Sequence, residues 1–157
     1  MVCITSAIQA PLQSLLRPAM WIPGCNKLHS HTEIWRSDAV GADALLEDII
    51  NTVPDLTTKS DRTRSTYVIN KVEEERGFVR IFAFTWANWL DVMEFTLKGN
   101  KVQARSFSSG FLPLSIPLAV ILNCVLFWIP FYDNKFNRTR LDTLREAMSA
   151  DVIAQDV

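Results

Sequence analysis

Five polar residues in the C-terminal half of the sequence have types and spacing that could do chemistry: Glu94, Arg105, Asp133, Asn137 and Arg140. Arg105 could hold Asp133 through a bidentate pair, and Arg140 could bind Asp133 or an anionic ligand. Acid–base catalysis, for example by a hydrolase, would require one of the carboxylates to sit in a cleft with a shifted pKa. The same residues fit a structural ion-pair network that ties a helix to a sheet, with Asn137 as the helix N-cap. We favour the structural interpretation and keep the enzymatic one as an alternative.

Metal and cofactor chemistry have little support in the sequence. His29 and His31 form an H-x-H pair with Glu33 nearby, a set more typical of an exposed tract than of a metal site. The sequence contains no phosphate-binding P-loop, no dinucleotide-binding glycine motif and no zinc-protease motif. The three cysteines are widely spaced, which indicates no disulfide framework and favours a reducing compartment. We therefore predict no metal and no cofactor.

The most unusual feature of the sequence is residues 111–132, a segment of 22 residues without a charge. Pro113, Pro117 and Pro130 divide it, and its longest stretch without proline is residues 118–129. A helix of that length spans about 18 Å, whereas the apolar core of a bilayer is about 30 Å thick. This segment cannot cross a membrane as a single helix.

Two interpretations of the segment remain, a buried helix that closes the core and an apolar surface that enters a membrane or contacts an apolar ligand. We favour the second, because two amphipathic helices and a sheet already suffice for a small core. The residues expected to contact the membrane or ligand are Leu118, Val125, Leu126, Trp128 and Tyr132, together with Trp86 and Trp89. This interpretation implies a membrane-associated, intracellular protein. Docking of the segment into a partner protein is a further alternative.

The elements that must position these residues can be predicted from periodicity. A one-sided apolar stripe predicts a helix that starts near Asp38 and ends at Pro54, and Asn137 opens a final helix. Alternation predicts strands at residues 64–72, 78–85, 90–98 and 101–108, with a hairpin turn at Gly99-Asn100. The fold class is therefore α+β, an antiparallel four-stranded meander packed by an N-terminal and a C-terminal helix, plus a short apolar helix.

The length of the chain limits the number of domains, and its net charge limits the kinds of partner. A chain of 157 residues suits one domain, which we place at residues 33–150, followed by a tail at 151–157. Residues 1–32 contain no acidic residue and are predicted to be a disordered or targeting extension. The net charge of −1 provides no basic field for a nucleic acid, so no nucleic-acid partner is expected.

Three short stretches carry a family resemblance: residues 91–95, residues 102–106 and the pattern D-x-x-x-N-x-x-R formed by Asp133, Asn137 and Arg140. In these stretches the chain resembles the family called domain of unknown function 1499. The apolar run before the Asp lengthens a segment that is short and polar in that family. The resemblance implies an α+β fold over roughly residues 37–148, and the family has no established activity to carry over.

Overall fold

The computed structural model describes residues 2–22, 29–58, 64–128 and 136–157 of the protein, so the predicted site residues Tyr132 and Asp133 lie outside the described residues. The helices are α1 (Ile4–Leu15), α2 (Pro18–Trp21), α3 (Ala42–Thr58), α4 (Ala119–Val125) and α5 (Phe136–Ala147). The strands are β1 (Ser30–Arg36), β2 (Thr66–Glu73), β3 (Phe78–Phe84), β4 (Leu90–Lys98), β5 (Lys101–Ser108) and β6 (Ile153–Asp156). The α+β class predicted from the sequence is confirmed.

The described strands form one antiparallel sheet in the order β2-β3-β4-β5-β1-β6. Its four strands β2 to β5 correspond to the predicted meander, and β4 and β5 have the predicted bounds. β3 ends one residue earlier than predicted, and β2 is shifted towards Glu73. The agreement is close because alternating side chains and a short turn are both local signals.

The predicted number of four strands needs correction, because β1 pairs with β5 and β6 pairs with β1. The sequence of β1 alternates poorly, since its inward-facing Glu33 is a carboxylate that is only 1% exposed. Only the partners that Glu33 finds in the folded protein make that position favourable. Strand β6 has four residues and adds to an edge, which leaves little periodicity to detect.

The described elements also extend beyond the predicted domain bounds of residues 33 and 150. The lower bound falls inside β1, and α1 lies within the segment predicted to be an extension. The tail at 151–157 contributes β6, whose Gln155 lies opposite Ile34 of β1. These segments join the fold through partners far away in sequence, which composition cannot reveal. A targeting role for residues 1–32 stays a prediction.

Helices α3 and α5 cover one face of the sheet and enclose the larger core. The apolar stripe of α3 continues past Pro54 to Thr58, so the predicted helix end at Pro54 is wrong. Pro54 has no amide hydrogen to donate within the helix. Because Pro54 is exposed, the missing hydrogen bond lies on the solvent side of the helix. Val53 and Leu56 are buried on the other side and hold the last turn against the sheet.

Helices α1 and α4 and the connection at residues 109–118 cover the opposite face of the sheet. A second core lies beneath them, in which Ala10, Leu114 and Val120 pack with Phe82 and Phe107. The described structure therefore has three layers, with helices on both faces of the sheet. The short apolar helix was predicted, but its neighbour α1 was not.

Candidate functional site

Helix α1 points its large apolar side chains towards solvent and its small and polar ones towards the sheet. Ile4 and Ile8 are 78% and 72% exposed, and Leu12 and Leu15 continue the same stripe. The buried residues of this helix are Ser6, Ala10, Gln13 and Ser14. A surface helix of a globular protein normally has the reverse arrangement. The outer side of α1 is therefore suited to apolar surroundings rather than to water.

Helix α4 exposes apolar residues beside those of α1. Its buried residues are Ala119, Val120 and Asn123, and the two helices contact each other. We call the exposed side chains of the two helices the apolar face, which consists of Ile4, Ile8, Leu12, Leu15, Leu118, Ile121, Leu122 and Val125. Monomeric soluble proteins rarely expose large contiguous apolar patches, and such patches mark sites of interaction with proteins or membranes.

Three amide side chains hold the two helices together beneath the apolar face. Gln9 donates to the carbonyl oxygens of Leu114 and Ile116, 3.0 and 2.9 Å away. The Nδ2 atom of buried Asn123 donates to Gln13 Oε1 at 3.2 Å. Since residues 9 and 13 meet residues 120 and 123 in the same order, α1 and α4 run parallel. These amide groups are thus paired internally, which leaves apolar atoms on the outside.

Tryptophans border the apolar face, and the chain segments that form this face contain no charged residue. The exposed tryptophans among the described residues are Trp21, Trp86, Trp89 and Trp128. Trp86 and Trp89 lie on a turn that contacts the start of α1, where Asn88 Oδ1 accepts a hydrogen bond from the Cys3 amide at 2.9 Å. Residues 2–16 and 106–128 contain no Asp, Glu, Lys, Arg or His. Tryptophan is the side chain enriched at membrane–water interfaces.

The structure places most of the predicted membrane-contact residues at the surface. Leu118, Val125, Trp86, Trp89 and Trp128 are exposed, and Leu126 is half-buried. Sequence reasoning missed the whole contribution of α1. The signal was present as apolar residues at positions 4, 8, 12 and 15, but the glutamines and proline between them obscured it. No helix in the described ranges combines the length and the apolar character needed to cross a membrane.

The sheet divides the predicted polar cluster into two groups. Glu94 and Arg105 are cross-strand neighbours on the α1–α4 side, and Arg80 binds Glu94 with 2.8 Å between Nη2 and Oε1. Asn137 and Arg140 belong to α5 on the other side. The described residues therefore do not bring the four together. The expected pairing of Arg105 with Asp133 falls on a residue outside the described ones.

On the α5 side, Arg140 forms a buried ion pair with a residue that sequence reasoning did not select. Arg140 Nη2 lies 2.7 Å from Asp91 Oδ2, and the two side chains are 1% and 8% exposed. Asn137 is also buried, and its side chain hydrogen-bonds to Ser106 and to the His29 carbonyl. These hydrogen bonds join α5 to the sheet, whereas the sequence predicted that Asn137 would cap the helix. A carboxylate partner offsets the cost of burying Arg140, but no local pattern in the sequence indicates that this partner is Asp91.

A second polar network surrounds Glu33 on β1. Its Oε2 accepts hydrogen bonds from Trp35 Nε1 at 2.6 Å and Arg145 Nη1 at 3.0 Å, while His31 Nε2 lies 3.0 Å from its Oε1. His31, Glu33 and Asp156 bring ligand atoms within 4.8 Å of one another, a spacing that could hold a metal ion. Two arginines already lie against the carboxylates, Arg145 at Glu33 and Arg138 at Asp156. This charge balance favours an ion-pair network that fastens β1, β6 and α5.

Comparison with known proteins gives no match among family models, curated proteins or solved structures.

Proposed function

We propose that the protein is a non-enzymatic module that binds membranes peripherally, laying the apolar face of α1 and α4 into the interfacial region of a bilayer. The observation that carries the proposal is the inverted arrangement of α1, whose large apolar side chains point away from the protein. Fully burying one such side chain stabilises by about 1.5–3 kcal/mol. Several inserted together can offset the loss of freedom on binding.

The geometry supports a membrane in preference to a small apolar ligand. Ligands of that kind bind in concave pockets that enclose most of their surface. The apolar face lies on the outer sides of two parallel helices, where an extended apolar phase can reach it. The bordering tryptophans suit the headgroup level, and the lack of charge favours zwitterionic or uncharged lipid over electrostatic attachment to anionic lipid.

The other functions predicted from the sequence receive less support. An enzyme using the polar cluster would need Glu94 or Arg105 to meet Arg140, and the sheet lies between them. Docking to a partner protein would use the same apolar face, and vesicle binding distinguishes it from membrane attachment. The resemblance to the domain of unknown function 1499 family also stays a proposal, and it implies no activity.

Co-sedimentation of the full chain with phosphatidylcholine vesicles tests the proposal. The wild type should pellet with the vesicles, and the double variant Ile8→Ser, Leu12→Ser should stay largely in the supernatant. A matched control is Val40→Ser with Ile153→Ser, which removes two exposed apolar side chains outside α1 and α4 and should pellet like the wild type. A folded wild type that remains monomeric and ignores the vesicles would refute the membrane proposal. A wild type that ignores vesicles but self-associates through Ile8 and Leu12 would favour protein docking instead.

A further inference from the structure

A buried arginine without a carboxylate lies at the end of the apolar face. Arg17 follows α1 and is only 6% exposed, with its guanidinium carbon 3.7 Å from the centre of the Phe107 ring. Its Nη1 atom is buried and has no hydrogen-bond partner among the described residues. No carboxylate of the described residues lies within ion-pair distance of it, and its guanidinium stacks on Phe107 of the second core. Burying a guanidinium in this way is unfavourable unless something compensates its charge.

The electrostatic surroundings of Arg17 increase this cost. Burial, and after it the nearby charge of Arg105, lowers the pKa of Arg17 to about 9, while Glu94 and Asp91 act in the opposite direction. Arg17 is therefore still protonated near pH 7. The stacking on Phe107 offsets part of the cost but provides no hydrogen-bond acceptor.

Arg17 lines a small, partly open cavity of about 30 Å³. Polar residues on its wall include His29, Ser108 and Ser109, and none of the described lining residues carries a carboxylate. Leu126 and Phe127, which follow α4, form another part of the wall. A volume of this size holds one or two water molecules or the oxygen atoms of a small group entering from outside. The cavity is thus partly open, has a cationic side chain in its lining and lies next to the apolar face.

We propose that this cavity is an oxyanion site in which Arg17 binds the phosphate group of a ligand. Guanidinium groups bind phosphate oxygens through charge-assisted, often bidentate hydrogen bonds. The phosphate can belong to a lipid headgroup, since the cavity borders the C-terminal ends of α1 and α4, or to a small soluble molecule. The site requires only Arg17 and the cavity, so it does not depend on the apolar face binding a bilayer.

Thermal unfolding of the full chain in sodium phosphate, compared with sodium chloride of equal ionic strength at pH 7, tests the site directly. Phosphate should raise the Tm of the wild type by about 2–4 °C at concentrations well above its Kd. Arg17→Met keeps an unbranched apolar stem over Phe107 and should lose the shift. Arg76→Met removes an arginine whose side chain is 80% exposed and should keep it. If Arg17→Met does not fold, Arg17→Lys serves instead and should show a smaller shift, because lysine lacks the planar fork.

Vesicle binding then identifies the source of the phosphate. If a lipid supplies it, Arg17→Met should bind phosphatidylcholine vesicles about tenfold or more weakly than Arg76→Met. If Arg17→Met binds vesicles normally and loses only the Tm shift, the ligand is a soluble phosphate. Galactolipid vesicles, which contain no phosphate, test the apolar face alone. A wild type that shows neither a phosphate-dependent Tm shift nor Arg17-dependent vesicle binding would overturn the oxyanion site, whatever the galactolipid result.

Discussion

At the residue scale, the two faces of the sheet differ in how the charge of a buried arginine is compensated. Arg140 and Asp91 are both buried on the α5 side, where each side chain compensates the other. Arg17 on the opposite side has no such carboxylate partner among the described residues. The two buried arginines therefore differ in whether a carboxylate of the described residues compensates their charge.

The Asp91–Arg140 pair leads to a prediction about stability. Asp91→Ala should lower the free energy of unfolding by about 3–5 kcal/mol, because it leaves the Arg140 guanidinium buried without its carboxylate. Urea denaturation monitored by tryptophan fluorescence would measure the change. Arg138→Ala, which breaks a solvent-exposed pair with Asp156, is the control and should cost no more than about 1 kcal/mol. Equal effects of the two substitutions would contradict the structural role of the buried pair.

The two described cysteines should differ in reactivity. The hydrogen bond with the Thr5 side chain lowers the pKa of the Cys3 thiol, whereas burial raises the pKa of Cys124. At pH 7.5 a larger fraction of Cys3 is thiolate, the reactive form. In a Cys25→Ser background, iodoacetamide should therefore modify Cys3 before Cys124, as read by peptide mass spectrometry. Faster modification of Cys124 would contradict the described placement of α1.

At the element scale, α1 and α4 form one unit. Gln9, Gln13 and Asn123 join the two helices and form a polar seam that faces inward. Gln13 donates to the Ser109 carbonyl at 2.8 Å, and Asn123 Oδ1 accepts a hydrogen bond from the Leu112 amide at 2.7 Å. The seam thus holds the connection at residues 109–118 as well as the two helices. The outer apolar side chains take no part in it.

This division predicts that substitutions on the outer side of the helices change stability little, whereas substitutions on the inner side are destabilising. Ile8→Ser should change the free energy of unfolding in water by less than about 0.5 kcal/mol, because the side chain is already exposed. Asn123→Leu should cost about 1–3 kcal/mol, since it leaves the Leu112 amide and the Oε1 atom of Gln13 unsatisfied. Chemical denaturation of the two variants provides the comparison. A large loss of stability from Ile8→Ser would show that this side chain is core.

At the scale of the whole molecule, the charged residues other than Arg17 are separated from the apolar layer. Residues 2–16 and 109–128, which form this layer, carry no charge, although charged residues make up 21% of the whole sequence. One side of the protein can therefore meet an apolar phase while the rest stays hydrated. An interface of this composition relies on apolar burial rather than on Coulomb attraction.

The separation predicts how salt affects membrane binding. The fraction of protein bound to phosphatidylcholine vesicles should change less than about twofold between roughly 50 and 500 mM NaCl, because there are no charges on the apolar face to screen. Vesicle flotation at a series of salt concentrations would measure it. Loss of binding at high salt would point to electrostatic attachment, through the Arg17 cavity or through a different surface.

Local patterns in the sequence were enough to predict the strands of the central meander, the stripe of α3 and the surface position of Leu118, Val125 and Trp128. Each of these depends on neighbours within a few residues, where periodicity and turn chemistry act. The spacing of the prolines in the apolar segment likewise excludes a single membrane-crossing helix there, because the longest stretch between them is too short for a bilayer.

Tertiary structure alone decided the remaining features, because they depend on partners far apart in sequence. The buried Glu33 interrupts the apolar alternation expected of β1. In the fold, pairing with β5 and the ion pair between Glu33 and Arg145 stabilise this strand. The glutamines that interrupt the apolar pattern of α1 are the residues that bind it to the segment around α4. The sheet separates Glu94 and Arg105 from Arg140, since alternate residues of a strand face opposite layers. The direction in which α1 turns its apolar side chains was therefore settled by hydrogen bonds across about a hundred residues of chain.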